Sequence, residues 1–216
     1  MQGACARAAP AAEYALRWDP ADGGPATIEA VLSLLALQRG KAKQLVVQYY
    51  AVPQPPELPA GFAAIARERT SGDEVDATYK VRGPTPLPGG GKNWTCPLAP
   101  PARTKSEVDI GIVGHGVVTK SYSRSCSVAR PMADSLPTVI HARPLGCTSS
   151  VTRIKARDVK VEQWQLAGGN QALEVSWAGK DSPADLQAFR SRIVEPLTSA
   201  GIKPLSESKT ELGSIC

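Results

Sequence analysis

Apolar and polar residues alternate with period two over much of the chain, and the alternation gives way to helical spacing in two places. Residues 13–18 (Glu-Tyr-Ala-Leu-Arg-Trp) predict a short strand. In 27–38, Ile28, Val31, Leu32, Leu35 and Ala36 recur at helical spacing, with Thr27 as N-cap and Gly40 as stop. Residues 45–52 are β-branched and aromatic, hence a strand, and Pro53, Pro55, Pro56 and Pro59 punctuate the loop after it. Alternation returns in 63–70, 75–82, 105–113, 118–128, 152–166 and 172–177, with Gly168-Gly169-Asn170 as a hairpin turn into the last. A second helix starts at Ser182-Pro183-Ala184-Asp185, where Ser182 caps, Pro183 sits in the first turn and Asp185 holds the capping-box position. Leu186, Phe189, Ile193 and Leu197 form its apolar face, and Pro196 is expected to kink or end it, with Gly201 just beyond.

The segments between are turn-rich. Residues 83–101 are a Pro/Gly-rich loop expected to be a flap, an insertion or a disordered segment. Residues 131–150 read as turns, and 1–12 as a loose alanine-rich leader. There is no internal repeat. The pattern predicts an α+β fold dominated by antiparallel strands, with 13–216 as a single domain.

Composition adjusts this picture only modestly. A chain of 216 residues, 42% hydrophobic and 21% charged, can bury a core and is not disordered throughout. No run of about 18 apolar residues exists, so no membrane span is expected. Nineteen glycines and 19 prolines beside few aromatics favour short strands joined by turns. A net charge of +5 excludes a polycation and permits a local anion site. The five cysteines (Cys5, Cys96, Cys126, Cys147, Cys216) show no metal-ligand spacing, and His115 and His141 lie in separate segments, so zinc has little support. The cysteines allow two disulfides and a free thiol, or five reduced thiols. Their position at both ends suggests staples and favours a periplasmic or secreted location over a cytoplasmic one. The first residues lack a basic n-region and an apolar h-region, so no signal peptide is read in the sequence as given; whether one was removed stays open.

The strand faces carry the chemistry. One face after another is basic: Arg17; Arg67 and Arg69; Lys80 and Arg82; Lys105; Lys120 and Arg124; Arg153, Lys155 and Arg157. Glu13, Glu107, Asp109 and Glu174 share some of these faces. A sheet with one solvated side gives such alternation in any protein. Here cations outnumber acids on the stripes, and the opposite faces are apolar enough to pack against helices. If the sheet closes into a barrel, the cations line its interior, where only a polyanion or paired carboxylates make them tolerable. Gly89-Gly90-Gly91-Lys92 lacks the spacing and context of a phosphate loop and reads as linker. His115, between two glycines, reads as a turn residue, and no local Ser/His/Asp or Cys/His arrangement supports a nucleophile. Nucleic acid is an unlikely partner, because the basic residues interleave with few aromatics.

The order of these segments resembles the CYTH superfamily, the triphosphate tunnel metalloenzymes. The family's first strand reads Glu-x-Glu-x-Lys; this chain has Glu13-Tyr14-Ala15-Leu16-Arg17. A Tyr strand and Pro-rich turn (Gln48 to Pro53), an Arg-x-Arg strand (Arg67-Glu68-Arg69), a Thr-x-Lys strand ending in glycine (Thr78 to Gly83), Lys105-x-Glu107-x-Asp109, a Lys/Arg strand (Lys120, Arg124), a late Glu174, a helix, and Ser208-Lys209 follow in the family's order. The resemblance spans about 13–209, and each motif taken singly is weak. It implies an eight-stranded antiparallel tunnel-like β-barrel with flanking helices that binds a triphosphate or similar small polyanion. By the same resemblance Arg17, Arg67, Arg69, Lys80, Lys105, Lys120, Arg124, Lys155 and Lys209 grip phosphates. Glu13, Asp109 and Glu174 hold Mg²⁺ or Mn²⁺, and Glu13, Glu107 and Glu174 serve catalysis.

Two departures bear on catalysis: Ala15 replaces the middle glutamate, and Ser176 stands where a second late carboxylate is common. The acids therefore form a rearranged metal site or pair with the arginines. The functions implied are hydrolysis of inorganic, nucleoside or thiamine triphosphate, binding of a polyanion without turnover, or service as a scaffold. The cations Arg67, Arg69, Lys80, Lys120, Arg124, Lys155 and Lys209 are expected to point into one cavity; the oligomeric state is left open.

Overall fold

The computed structural model describes residues 9–91, 94–98, 103–131 and 136–216. Its centre is a closed barrel of nine strands: β1 (Ala11–Trp18), β2 (Ala42–Ala51), β3 (Ala63–Ser71), β4 (Glu74–Gly83), β5 (Arg103–Val113), β6 (Val117–Pro131), β7 (Arg143–Ala156), β8 (Val159–Gln165) and β9 (Gln171–Lys180). The order around the barrel is β1-β5-β6-β4-β3-β2-β7-β8-β9. Closure leaves no strand edge exposed. All neighbours are antiparallel except β1 and β5, which run parallel and close the ring.

The expected eight antiparallel strands are thus nine strands in a mixed sheet. The extra strand comes from 152–166, read above as one segment. It is a hairpin: β7 and β8 pair from Ser150↔Gln165 to Ala156↔Val159, with Arg157 at the turn in the left-handed region (φ 58°). β7 also begins earlier than its pattern shows. Residues 143–150, expected to be turns, pair with β2 across a bulge between Val47 and Tyr49.

The strands' outer faces bury two apolar clusters. One gathers Tyr14, Leu16 and Trp18 of β1, Val108, Ile110 and Ile112 of β5, and Leu173 and Val175 of β9. Against it pack α1 (Ile28–Leu34) and a C-terminal helical run. That run is α3 (Pro183–Phe189), a π-helical turn (Arg190–Val194) and α4 (Glu195–Ser199). Thr27 and Ser182 cap as expected, but α1 ends at Leu34, where Leu35 turns out of the helix. Pro196 does not end the second helix. The preceding π turn absorbs it, and Gly201 (φ 92°) closes the run beyond. The second cluster joins Ala66, Tyr79, Val81 and Cys126 to Leu98, Ala142 and Leu136 of α2 (Leu136–Ile140), so part of the Pro/Gly-rich segment is a cover on the barrel.

Two disulfides fasten these coverings. Cys96–Cys126 ties that segment to β6, and Cys147–Cys216 ties β7 to the C-terminal segment. Cys5 lies outside the described residues. No described helix is long and apolar enough to cross a membrane.

The inner face is divided. Leu45, Val47 and Tyr49 of β2, Val151 of β7, Trp164 of β8 and Ala172 of β9 form an apolar cluster in phase with the cavity-lining Tyr49. Leu205 and Leu212, the latter in α5 (Lys209–Leu212), pack against it. The rest of the interior is charged.

Candidate functional site: a cationic cavity inside the barrel

The interior cavity has a volume of about 530 Å³, in the range of small-ligand pockets. Nine cationic and five acidic side chains line it. Strand register explains how they meet. In the parallel pair, Glu13 of β1 lies beside Asp109 of β5, and Glu107, two residues earlier, shares the inner face. One carboxylate oxygen from each of Glu13, Glu107 and Asp109 lies within 4.8 Å of the others. Ala15, where the family pattern has a carboxylate, faces Gly111, so β5 supplies the acids that β1 lacks.

Cations hold this trio apart from its own repulsion. Lys80 Nζ is 3.0 Å from Asp109 and 3.6 Å from Glu107; Arg82 Nε is 3.1 Å from Asp109. Lys105 pairs with Glu107, and Lys160 with Glu13. Burial alone would raise the Glu13 carboxyl, but Lys209, Lys160 and Lys80 together hold it well below the usual carboxylate range. Asp109, likewise opposed by burial, is lowered by Lys80 and Arg82. Burial pushes the Lys80 ammonium down despite its acidic neighbours.

A second charged row runs directly across the sheet. Lys43, Arg153, Glu162, Glu174 and Arg17 are successive register partners on β2, β7, β8, β9 and β1. Glu162 and Glu174 are each 1% exposed and lie side by side. Arg153 Nε sits 2.5 Å from Glu162, Arg17 Nε 2.5 Å from Glu174, and Lys209 Nζ reaches both acids, 2.8 Å from Glu162. Burial opposes ionisation of Glu162, yet Lys209, Arg153 and Arg69 hold its carboxyl well below the usual range.

Arg67 and Arg69 differ from these. Their Nε atoms are shielded from solvent and have no hydrogen-bond partner, and neither forms an ion pair among the described residues. Burial, then repulsion from Arg67 and Arg153, lowers the Arg69 guanidinium to about 10. Asp76, the register partner of Arg69, also lines the cavity, and Glu162 acts on Arg69 from a distance, but neither forms a contact ion pair with the two arginines, whose forks are left to receive an anion.

Six of the nine expected phosphate-gripping residues line the cavity: Arg17, Arg67, Arg69, Lys80, Lys105 and Lys209. Lys120, Arg124 and Lys155 do not. Lys80 and Lys105 both register against Ser125, so the odd-numbered residues of β6 face inward and its even-numbered cations face out. Lys120 pairs with Asp181 at 2.5 Å, and Arg124 lies over the Trp94 ring. Lys155 is opposite Lys160 but exposed, beyond the cavity. The inner face of β6 instead carries Thr119, Ser121, Ser123, Ser125 and Ser127.

Glu174, expected among the metal ligands, is engaged by Arg17 and Lys209 and lies outside the carboxylate trio, where Glu107 takes the third place. Asp76, Arg82, Arg103 and Lys160 also line the cavity, and Glu162 is buried beside it. Alternation does not disclose Lys160 and Glu162, because the turn before them carries neither glycine nor proline, whereas Arg82 and Arg153 stand on basic faces of the sequence. Three hard oxygen donors suit Mg²⁺ or Mn²⁺ better than a thiolate-seeking metal, so these residues fit the ion the family implies.

Acid should unfold the protein through these carboxylates. Glu13, Asp109 and Glu162 are lowered in the fold, so the stability they add is present above the unfolded carboxyl range near 4 and is lost as pH falls through the folded values. Melting temperature is expected to hold from pH 7 to about 5 and to fall steeply below about 4, with protons taken up on unfolding. Scanning calorimetry across pH checks this; a level profile down to about pH 3 would show the pairs contribute nothing.

No family model matches the chain, and no curated protein matches it. Solved structures do resemble it. A candidate adenylate cyclase from Vibrio parahaemolyticus superposes with a TM-score of 0.51 at 12% identity, covering 95% of this chain and 98% of that one. HpAC1 from Hippeastrum, a candidate adenylyl cyclase with a dominant triphosphatase activity, gives 0.50 at 11% identity, covering 94% of each chain. At such identities the likeness is one of fold: the closed barrel of this chain resembles the fold of both proteins.

Proposed function

We propose that the chain is a divergent member of the CYTH superfamily that binds a triphosphate inside the barrel and hydrolyses it with Mg²⁺ or Mn²⁺. The observation that carries this reading is the pairing, in one cavity, of two arginines that make no contact ion pair among the described residues and a trio of carboxylates. Arg67 and Arg69 receive the phosphate oxygens as planar forks, which suit bidentate phosphate contact. Lys80 and Lys105 extend the positive wall toward the acids. Glu13, Glu107 and Asp109 would hold the metal ion, which when bound supplies Lewis-acid stabilisation of charge on the transferred group. The neighbouring lysines and Arg82 keep the trio ionised, so that one of its carboxylates orients the attacking water. Glu174 acts through position, fixing Arg17 and Lys209. A protein that binds the polyanion without turnover is the alternative, favoured by Ala15 and by the lysines already paired to every acid of the trio. The two disulfides favour an oxidising compartment.

Phosphate release from tripolyphosphate with Mg²⁺ or Mn²⁺ tests the reading. Asp109→Asn is expected to slow release a hundredfold or more, roughly 3 kcal/mol of transition-state stabilisation, while tripolyphosphate still raises the melting temperature. Binding without release by the unaltered protein selects the alternative. No binding at millimolar tripolyphosphate, with or without Mn²⁺, removes both.

A further inference from the structure

The cavity wall is not built by the barrel alone. Ser206, Ser208, Lys209 and Thr210 line it from a segment that follows the last helix of the covering layer. This segment enters through a single bridge, Trp18↔Pro204, with the Leu205 N–H donating to the Arg17 carbonyl. It turns through α5 on a complete capping box between Ser208 and Glu211. It then runs so close to the barrel that a Cβ at Gly213 would lie 2.5 Å from the Tyr49 ring, and one at Gly146 would lie 2.2 Å from the Ser214 carbonyl oxygen. Cys216 ends the contact by bonding to Cys147, beside Gly146.

The two disulfides differ in exposure. Cys126 is 1% exposed inside the second apolar cluster, whereas Cys147 and Cys216 both lie at the surface. Exposed disulfides are the ones a thiol can reach and exchange.

We infer that Cys147–Cys216 is a redox latch on the C-terminal cap, and that opening it weakens ligand binding in the barrel. This deepens the proposed function and rests on its binding half alone. A dithiol reductant supplies two electrons and two protons. The Cys147–Cys216 bond breaks to two thiols, and the reductant becomes a disulfide. The cap is then held by noncovalent contacts alone: the Trp18↔Pro204 bridge with the Leu205 N–H bond to the Arg17 carbonyl, the packing of Leu205, Leu212 and Gly213, and the ion pairs of Lys209. When it undocks, the cavity loses one wall, and Lys209 leaves Glu162 and Glu174 as a buried acid pair facing the ligand's phosphates. Binding is therefore expected to follow the docked fraction.

The test compares oxidised protein, protein reduced with a dithiol under non-denaturing conditions, and Cys216→Ser, with tripolyphosphate as probe. Alkylation and mass spectrometry are expected to find Cys147 and Cys216 labelled after reduction while Cys96 and Cys126 stay joined. Hydrogen exchange is expected to quicken in residues 204–215 and not in the barrel strands, with no ligand present. A cap docked about one-tenth of the time raises the apparent Kd about tenfold, and reoxidation restores it. Equal exchange and equal Kd in the three forms would overturn the latch. Oxidised protein that does not bind tripolyphosphate, yet shows the exchange difference, would overturn the ligand and leave the latch standing.

Discussion

Lys209→Met is expected to cost about 3–5 kcal/mol of stability at pH 7, the penalty for removing one partner from a buried ion cluster. For a domain of this size that is a fall in melting temperature of order 10 °C. The size follows from where Lys209 stands. Glu162 and Glu174 face each other on adjacent strands, out of water, and like charges opposite one another destabilise a sheet. Arg153 and Arg17 approach from the outer ends of the row, and Lys209 alone among the described residues joins both acids. Burial would weaken the Lys209 ammonium, but Glu162 and Glu174 raise it above the ordinary lysine range, so it stays charged throughout the neutral range. The loss should shrink as pH falls and the acids accept protons. Glu174→Gln added to Lys209→Met should recover part of it, whereas Lys203→Met on the surface should change stability by less than about 0.5 kcal/mol. Thermal denaturation of the set checks the coupling. A loss below about 1 kcal/mol would mean that Arg17 and Arg153 neutralise the row unaided.

That row shows what a period-two pattern does and does not convey. Alternation located six of the strands to within a few residues because an apolar face leaves a signature whichever side it packs on. It also placed the basic stripes, and so implied a charged interior once the sheet closed. The turn at Arg157 left no such signature. A non-glycine residue takes the left-handed conformation there, so β7 and β8 read as one strand, and Lys160 and Glu162 were lost with the count. β6 failed differently. Its inward residues include Thr119 and four serines and its outward ones include Lys120 and Arg124, so charge alone points to the wrong face. Only register against β4 and β5 decides it. The carboxylate trio lay beyond any local reading, because the β1–β5 contact joins segments about a hundred residues apart. Ala15 looked like a lost ligand in one strand. In the fold it is a gap beside acids delivered by the neighbouring strand.

Arg67 and Arg69 should behave in the opposite sense to Lys209. Replacing either by glutamine removes a cation that makes no contact ion pair in the ligand-free fold, so the variant is expected to melt no lower than the original and to gain up to about 1 kcal/mol. The gain should be larger at Arg69, where burial and the repulsion of Arg67 and Arg153 already lower the guanidinium to about 10. Binding should move the other way. A hydrogen bond to a charged group contributes about 1.5–3 kcal/mol, so each substitution is expected to weaken tripolyphosphate binding about 10- to 150-fold, and the pair together by about a thousandfold or more. Calorimetric titration beside thermal denaturation reads both quantities on the same sample. Variants that lose stability and keep their affinity would make the two arginines part of the framework. Variants that hold their stability and lose the ligand would mark them as the phosphate-binding wall, maintained at a cost to the empty barrel.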